Sequence, residues 1–390
     1  MNINQLSQDI SVAKSKAINF VRSSFDGNVD FFFTPNSDAS SFSRCFGIFC
    51  FNFFLIGHEY NNSKKKIVEA IINDLDNYRS LRLKKCENIL LDKHYLQLLS
   101  FSLSALYLTS QNELKSLDIH YFTGPIDELK RAINYASSRP DVSTYGNINM
   151  AHAVILIWMT ESGILQDSSM LDEWVITHIA NMNKFGFWGN IDNPTYLQFQ
   201  NGYHQYEIFD YLSLIIKKEV EAASMVAEMA DPFGSFAPHP GGGGCYDYDA
   251  IHIITRLPSS KILPYRDLLF KAANSIIKNQ NVDGGFCETH CLRPRNFKNL
   301  KKNLKHIISP MPDRKGRLVH FLRMLRSVNN QYNTHFTQYQ RQWGESNLWD
   351  TWFRLKSLDR IQVKLDPNNK TACGHINFPG IGFERPVESK

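Results

Sequence analysis

The sequence predicts an all-α protein, an (α/α)6 toroid in which six inner helices form a closed barrel inside six outer ones. Two observations predict it. Strongly apolar runs start near positions 44, 94, 149, 203, 246 and 346, at intervals of about 50, 55, 54, 43 and 100 residues. Amphipathic segments alternate with them. A helix pair cannot bury its own apolar face, so a repeat of this length marks stacked helical units around one core. Six units are enough to close a ring, and closure is expected over an open solenoid.

The apolar runs come in order. They are CFGIFCFNFFLIG (45–57), YLQLLSFSLSALYL (95–108), AHAVILIWM (151–159), QYEIFDYLSLI (205–215), AIHIITRL (250–257) and LWDTWFRLKSL (348–358). Each is apolar nearly all round, which marks a helix enclosed on every side. The first has 13 residues, too short to span a bilayer. The segments between are half apolar: 64–81, 125–136, 168–182, 218–230 and 264–280. In the first of these Ile67, Val68, Ile71, Ile72 and Leu75 fall at helical spacing. Pro125 suits a first helical position.

The last interval is double length. It holds the basic stretch LRPRNFKNLKKNLKH (292–306) and a helical pattern at 315–328. The reading is one barrel domain over 1–365, with a basic insertion at about 288–315 lying over one mouth. An irregular cap follows over 366–390. The basic run is either a solvated face or a surface for a diphosphate, an acidic glycan or a membrane.

Composition narrows the class. Of 390 residues, 43% are hydrophobic and 21% charged, which is globular rather than disordered. Aromatic residues reach 13%, with 27 Phe and 16 Tyr, suiting a large core or a ring-lined cavity. A net charge of +5 and a pI near 8.7 are too mild to argue for nucleic acid. Residues 1–30 are polar and carry no signal-peptide pattern. Seven cysteines without framework spacing point to free thiols in a reducing compartment. The expected location is the cytoplasm, with peripheral membrane contact left open and no obligate protein partner.

Three segments share a further pattern. Residues 280–286 read QNVDGGF, residues 184–189 read KFGFWG, and residues 343–358 read WGESNLWDTWFRLKSL. Gly284 and Gly285 permit a tight turn after a helix, Phe286 can stack back on it, and Gln280 can satisfy terminal backbone groups. Together these resemble the repeats of the terpenoid cyclase and protein prenyltransferase toroid family, over about residues 140–360. The squalene–hopene-cyclase-like repeat closes an outer helix with Gln-x-x-x-Gly-x-Trp/Phe and opens the next inner helix with Ser/Thr-x-x-Trp.

Inner-helix N-termini surround one mouth of such a barrel, so their polar residues are the candidates. The segment GGGGCYDYDAIH (241–252) is the first. Glycines let backbone approach closely, and a helix start favours the carboxylates of Asp247 and Asp249. A flexible loop with an N-cap Asp is the plain alternative. The segment resembles the Asp-x-Asp-Asp motif of class II terpene cyclases, whose middle acid protonates an alkene. That resemblance makes Asp249 the general acid and Asp247 its neighbour, with Ala250 replacing the last acid. An alkene is a weak base, so such an acid must be desolvated and protonated, with a second carboxyl nearby. Aromatic faces would then stabilise carbocations.

His204 and Glu207, at i and i+3, form a candidate acid–base pair beside Tyr203. A core histidine is the plain alternative. Tyr246, Tyr248, His252, His152 and Trp349 are candidate substrate contacts. Trp349 and Trp352 also read as core. No metal or other cofactor is expected, with zinc and magnesium left open. Prenyltransferases hold zinc through an Asp-x-Cys-Tyr motif, whereas this chain reads Cys245-Tyr246-Asp247 and lacks the partner His. Cys287, His290 and Cys291 are the alternative metal set. No phosphate-binding loop, dinucleotide fingerprint or nucleophile elbow is present.

Three functions follow as alternatives. The first is a terpenoid-cyclase-like enzyme acting on a hydrophobic or diphosphate-bearing small molecule. The second is a carbohydrate-active lyase, epimerase or hydrolase. The third is a non-catalytic scaffold.

Overall fold

The computed structural model describes residues 3–139, 145–189, 192–290, 297–326, 331–332, 334–368 and 373–384. Its helices run in chain order. They are α1 (Ile3–Ser23), α2 (Ser41–Phe53), α3 (Lys64–Leu83), α4 (Lys93–Thr109), α5 (Gln111–Ser116) and α6 (Ile119–Thr123). Next come α7 (Ile126–Ser137), α8 (Tyr145–Glu161), α9 (Ser169–Ala180), α10 (Tyr196–Tyr211) and α11 (Glu219–Glu228). Last are α12 (Gly244–Arg256), α13 (Arg266–Ile277), α14 (Phe297–Ile308), α15 (Arg314–Arg326) and α16 (Leu348–Leu365). One two-residue hairpin pairs Gln331–Tyr332 with Arg341–Gln342.

The inner ring is α2, α4, α8, α10, α12 and α16, each packed on the next, with α16 returning to α2. The barrel is therefore closed. Outer helices α3, α7, α9, α11 and α13 match the five amphipathic segments. The sixth outer helix is α1, which packs on α13, α16 and α2. Sequence reasoning did not find it. Its buried face is Leu6, Ile10, Ala13, Ala17, Phe20 and Val21, with two small alanines and a buried Lys14 diluting the apolar signal.

Side chains start the inner helices. Ser40 and Ser43 form a capping box on α2, Asp92 caps α4 through the N–H of Tyr95, and Asn347 caps α16 through that of Asp350. Thr195 and Gln198 form a second box on α10. Helix α12 starts differently. Its cap is Gly243, which makes no side-chain bond, so neither Asp247 nor Asp249 serves as an N-cap.

The QNVDGGF turn seals the ring. Gln280 Nε2 donates to the carbonyls of Ala13 at 2.7 Å and Gly284 at 2.9 Å. Gly284 has φ +90°, and a Cβ there would lie 2.1 Å from the Lys16 carbonyl oxygen. Only glycine lets the last turn dock on α1.

Both mouths are covered. At the N-terminal ends, Asp313 accepts from the Tyr196 N–H at 3.1 Å, and Phe336 packs on Phe42 and Trp349 at 4.7 and 4.6 Å. Helices α14 and α15 share a small core of their own with Trp343. At the C-terminal ends, residues 373–384 cross the ring. Gly374 N–H donates to Phe53 O at 2.9 Å, while Phe378 packs on Tyr107 at 5.2 Å and Phe383 on Tyr211 at 5.1 Å. No helix among the described residues is long and apolar enough to cross a membrane.

Candidate functional site

The candidate site lies between α10 and α12, facing the barrel interior. On α10, Tyr203, His204 and Glu207 occupy positions i, i+1 and i+4. On α12, Tyr248 and Asp249 lie opposite. Glycines bring the surrounding helices close: a Cβ on Gly146 of α8 would lie 2.4 Å from the Asn201 carbonyl oxygen.

Asp249 is 1% exposed, and its Oδ1 has no hydrogen-bond partner among the described residues. Burial pushes its pKa well above the usual carboxylate range, with the Glu207 and then the Asp247 charge adding to the shift. Glu207 is fully buried. Its Oε1 accepts from the Gly382 N–H at 2.6 Å and the Tyr248 hydroxyl at 3.5 Å, while Oε2 has no partner among the described residues. Burial raises this carboxyl well above its ordinary value too, outweighing the Gly382 bond. Burial thus favours the neutral form of each acid, and the charge of one disfavours ionisation of the other.

His204 Nδ1 and the Tyr203 hydroxyl also lack partners among the described residues. Burial lowers His204 to about 3, helped by the Lys93 charge. Buried polar atoms are nearly always paired in folded proteins, so four orphans on two neighbouring helices single this place out as the candidate site. Rings enclose it. Tyr203 meets Tyr248 edge to face at 5.8 Å, and Tyr248 lies 5.2 Å from Phe353 and 6.3 Å from Trp352.

Other sequence candidates point elsewhere. Asp247 accepts from the Phe236 N–H at 2.9 Å and pairs with Arg354 at 3.1 Å. Burial raises it to about 6, against the pull of Arg354. The carboxyl that most strongly lifts Asp249 is thus Glu207, not the neighbouring Asp247. His252 turns to Asp210, with Nε2 3.0 Å from Oδ2. His152 turns outward, its Nε2 2.8 Å from the Leu90 carbonyl. Tyr246 packs on Tyr196 and Phe199. Trp349 stands at the N-terminal mouth between Phe46, Phe336 and Phe353.

Cys287 Sγ lies 3.6 Å from His290 Nε2 and 3.3 Å from the Asn279 carbonyl it donates to. Burial raises this thiol to about 12, which disfavours the thiolate a metal requires. The third member of that set, Cys291, lies outside the described residues. No group of three His, Cys, Asp or Glu side chains suited to a metal occurs among the described residues.

One cluster escaped the sequence reading. The glycine run drapes over three carboxyl groups. A Cβ on Gly242 would lie 2.2 Å from Asp247 Oδ2, one on Gly243 2.5 Å from Glu288 Oε1, and one on Gly244 2.3 Å from Asp350 Oδ1. Arg341 pairs with Asp350 at 2.8 Å, and Arg354 with Asp247. The glycines make room for the protein's own acids. The available signal was the charge on α16: Asp350, Arg354, Lys356 and Asp359 are all buried on a helix enclosed by neighbours. Such charges must find partners.

No protein-family model matches the sequence, and no curated protein matches it. Solved structures match its shape. A type II terpene cyclase from Scytonema, MstE, in complex with geranylgeranyl dihydroxybenzoate, has a TM-score of 0.50 at 11% identity, covering 93% of this chain and 100% of that one. A glycosyl hydrolase family 88 protein from Bacteroides vulgatus has a TM-score of 0.46 at 11% identity, covering 91% and 99%. An unsaturated glucuronyl hydrolase from Streptococcus agalactiae has a TM-score of 0.33 at 14% identity, covering 91% of each chain. The likeness to the first concerns the fold alone, and with the closed ring of six inner helices it makes the chain an (α/α)6 toroid.

Proposed function

We propose that this toroid is an acid-initiated cyclase acting on a hydrophobic, alkene-bearing chain of isoprenoid type. The observation that carries the reading is Asp249. It is a buried carboxyl with an unpartnered oxygen, its pKa raised by burial and Glu207. A desolvated neutral acid is what protonation of an alkene requires.

The proton of Asp249 adds to one alkene carbon and leaves a cation on the other. A second double bond attacks that cation and closes a ring. Loss of a proton from a neighbouring carbon ends the sequence, and the product is an isomer of the substrate. Tyr203, Tyr248, Phe353 and Trp352 supply π-faces along the path. His204 stays neutral and can accept a proton.

A second reading rests on a different observation. Buried amides also line the inner ring: Gln97 Nε2 donates to Asn147 Oδ1 at 2.7 Å, and Gln97 Oε1 is unpartnered. Amides suit sugar hydroxyls, and Asp249 with Glu207 would then serve as the acid–base pair of a carbohydrate-active enzyme.

The test incubates the full chain with prenylated phenols, prenyl diphosphates and acidic oligosaccharides, followed by chromatography with mass detection. A new peak of unchanged mass from a prenyl substrate, absent with Asp249→Asn, supports the cyclase. Cleavage or epimerisation of an oligosaccharide without prenyl turnover overturns it in favour of the second reading.

A further inference from the structure

A cleft of about 990 Å³ lies outside the barrel, between outer helix α13 and insertion helix α14. Two lysines line it from each side. Lys271 and Lys278 are seven residues apart at the end of α13, and Lys302 and Lys305 are three apart on α14. Both spacings put a pair on one helix face.

Asp231 is the carboxylate in the lining, and its Oδ1 already accepts from the Phe233 and Ser235 N–H groups at 2.8 and 3.0 Å. Lys271, Lys278 and Lys305 form no ion pair among the described residues. Ammonium groups gathered around one cavity repel each other until an anion enters.

Part of the lining is apolar. Pro232, Pro240 and the ring of Phe233 form one wall, and Phe233 is 73% exposed despite facing a cleft. At the inner end stands His306, 7% exposed. Its Nε2 is buried and has no partner among the described residues.

We propose that this cleft binds an amphipathic organic phosphate, with a phosphomonoester headgroup among Lys271, Lys278, Lys302 and Lys305 and an apolar body along Pro232, Phe233 and Pro240. A phosphomonoester is mostly a dianion near neutral pH and brings two charges to the lysines, whereas a sulfate ester brings one. The site is separate from the barrel interior, so it stands or falls apart from the cyclase reading. The headgroup can belong to a free molecule or to a membrane lipid.

Calorimetric titration of the full chain with decyl phosphate, below its micelle concentration, tests this. Decyl phosphate should bind at least about tenfold more tightly than decanol, inorganic phosphate or decyl sulfate. The Lys271→Ala/Lys305→Ala double variant should lose about tenfold or more, and Phe233→Ala should weaken decyl phosphate but not inorganic phosphate. Lys278→Ala provides a second, milder probe of the same rim. Asp249→Asn should bind decyl phosphate as the parent does. Sedimentation with phosphatidate vesicles, lost in the double variant, assigns the headgroup to a lipid; soluble binding without vesicle binding assigns it to a free ligand. Parent-like affinity in the folded double variant, or decanol binding as tightly as decyl phosphate, overturns the proposal.

Discussion

The backbone N–H of Gly382 donates to Oε1 of Glu207 at 2.6 Å, joining positions 175 residues apart. The bond places the C-terminal tail on the carboxyl that lifts Asp249. A Cβ on Gly382 would lie 2.2 Å from the Trp352 ring, so the tail backbone presses directly on the aromatic wall.

Glu384 anchors that tail. It pairs with Lys356 at 2.5 Å, His375 at 2.8 Å and Arg360 at 3.4 Å. Burial pushes its carboxyl up, but Lys356, His375 and Arg360 together hold it well below its ordinary value. Glu384→Ala leaves Lys356, 1% exposed, without its counter-charge. The expected cost is about 3 to 5 kcal/mol in urea unfolding. Hydrogen exchange at the Gly382 amide should quicken as well. An unchanged exchange rate would mean that the tail is held by its apolar contacts alone.

Ring closure depends on Gly284. Gly284→Ala brings a methyl group against the Lys16 carbonyl at a positive φ, and should cost about 3 kcal/mol or more. Gly163 is the control. Its φ is +72°, but nothing lies within 4 Å of its Cβ position, so Gly163→Ala should cost only about 1 kcal/mol. Equal melting temperatures for the two variants would contradict a packing role for the turn.

Buried histidines make the fold sensitive to acid. His152 is lowered by burial from 6.5 to about 4, against the Leu90 bond. Between those values the unfolded chain binds a proton that the folded chain does not. The stability it contributes is therefore present above about pH 6.5 and lost as pH falls toward about 4. One such group amounts to about 3 kcal/mol across the window. His152→Gln should flatten the acid limb of stability against pH relative to the parent. A parallel pair of curves would contradict the neutral, buried assignment.

The inner helices were legible because enclosure on all sides leaves an unbroken apolar run, and the outer ones because half-exposure leaves a period. Helix α1 was not, since Ala13, Ala17 and Lys14 hide its buried face, and Lys14 is explained by its pair with Asp359 at 2.8 Å and its bond to Gln362 Oε1 at 3.1 Å. At the site, helical spacing held an unused clue. Residues two apart on a helix do not share a face, so Asp247 and Asp249 could not both reach the interior. The partner of Asp249 came from α10 instead. The network of Asp247, Glu288, Arg341, Asp350 and Arg354 joins α12, α16 and two loops. Asp247 and Arg354 are 107 residues apart, beyond the reach of any local pattern.

The central claim is that Asp249 is a neutral acid inside the barrel at neutral pH. Carbon-13 labelling of aspartate carboxyls alone, followed by magnetic resonance from about pH 5 to about pH 8, tests it without a substrate. Asp249→Asn and Asp247→Asn assign the two resonances. The account predicts that the Asp249 signal stays at its protonated position throughout, while that of Asp247 titrates near 6. An Asp249 signal already at the ionised position at about pH 5 would contradict the account and remove the acid on which the cyclase reading depends.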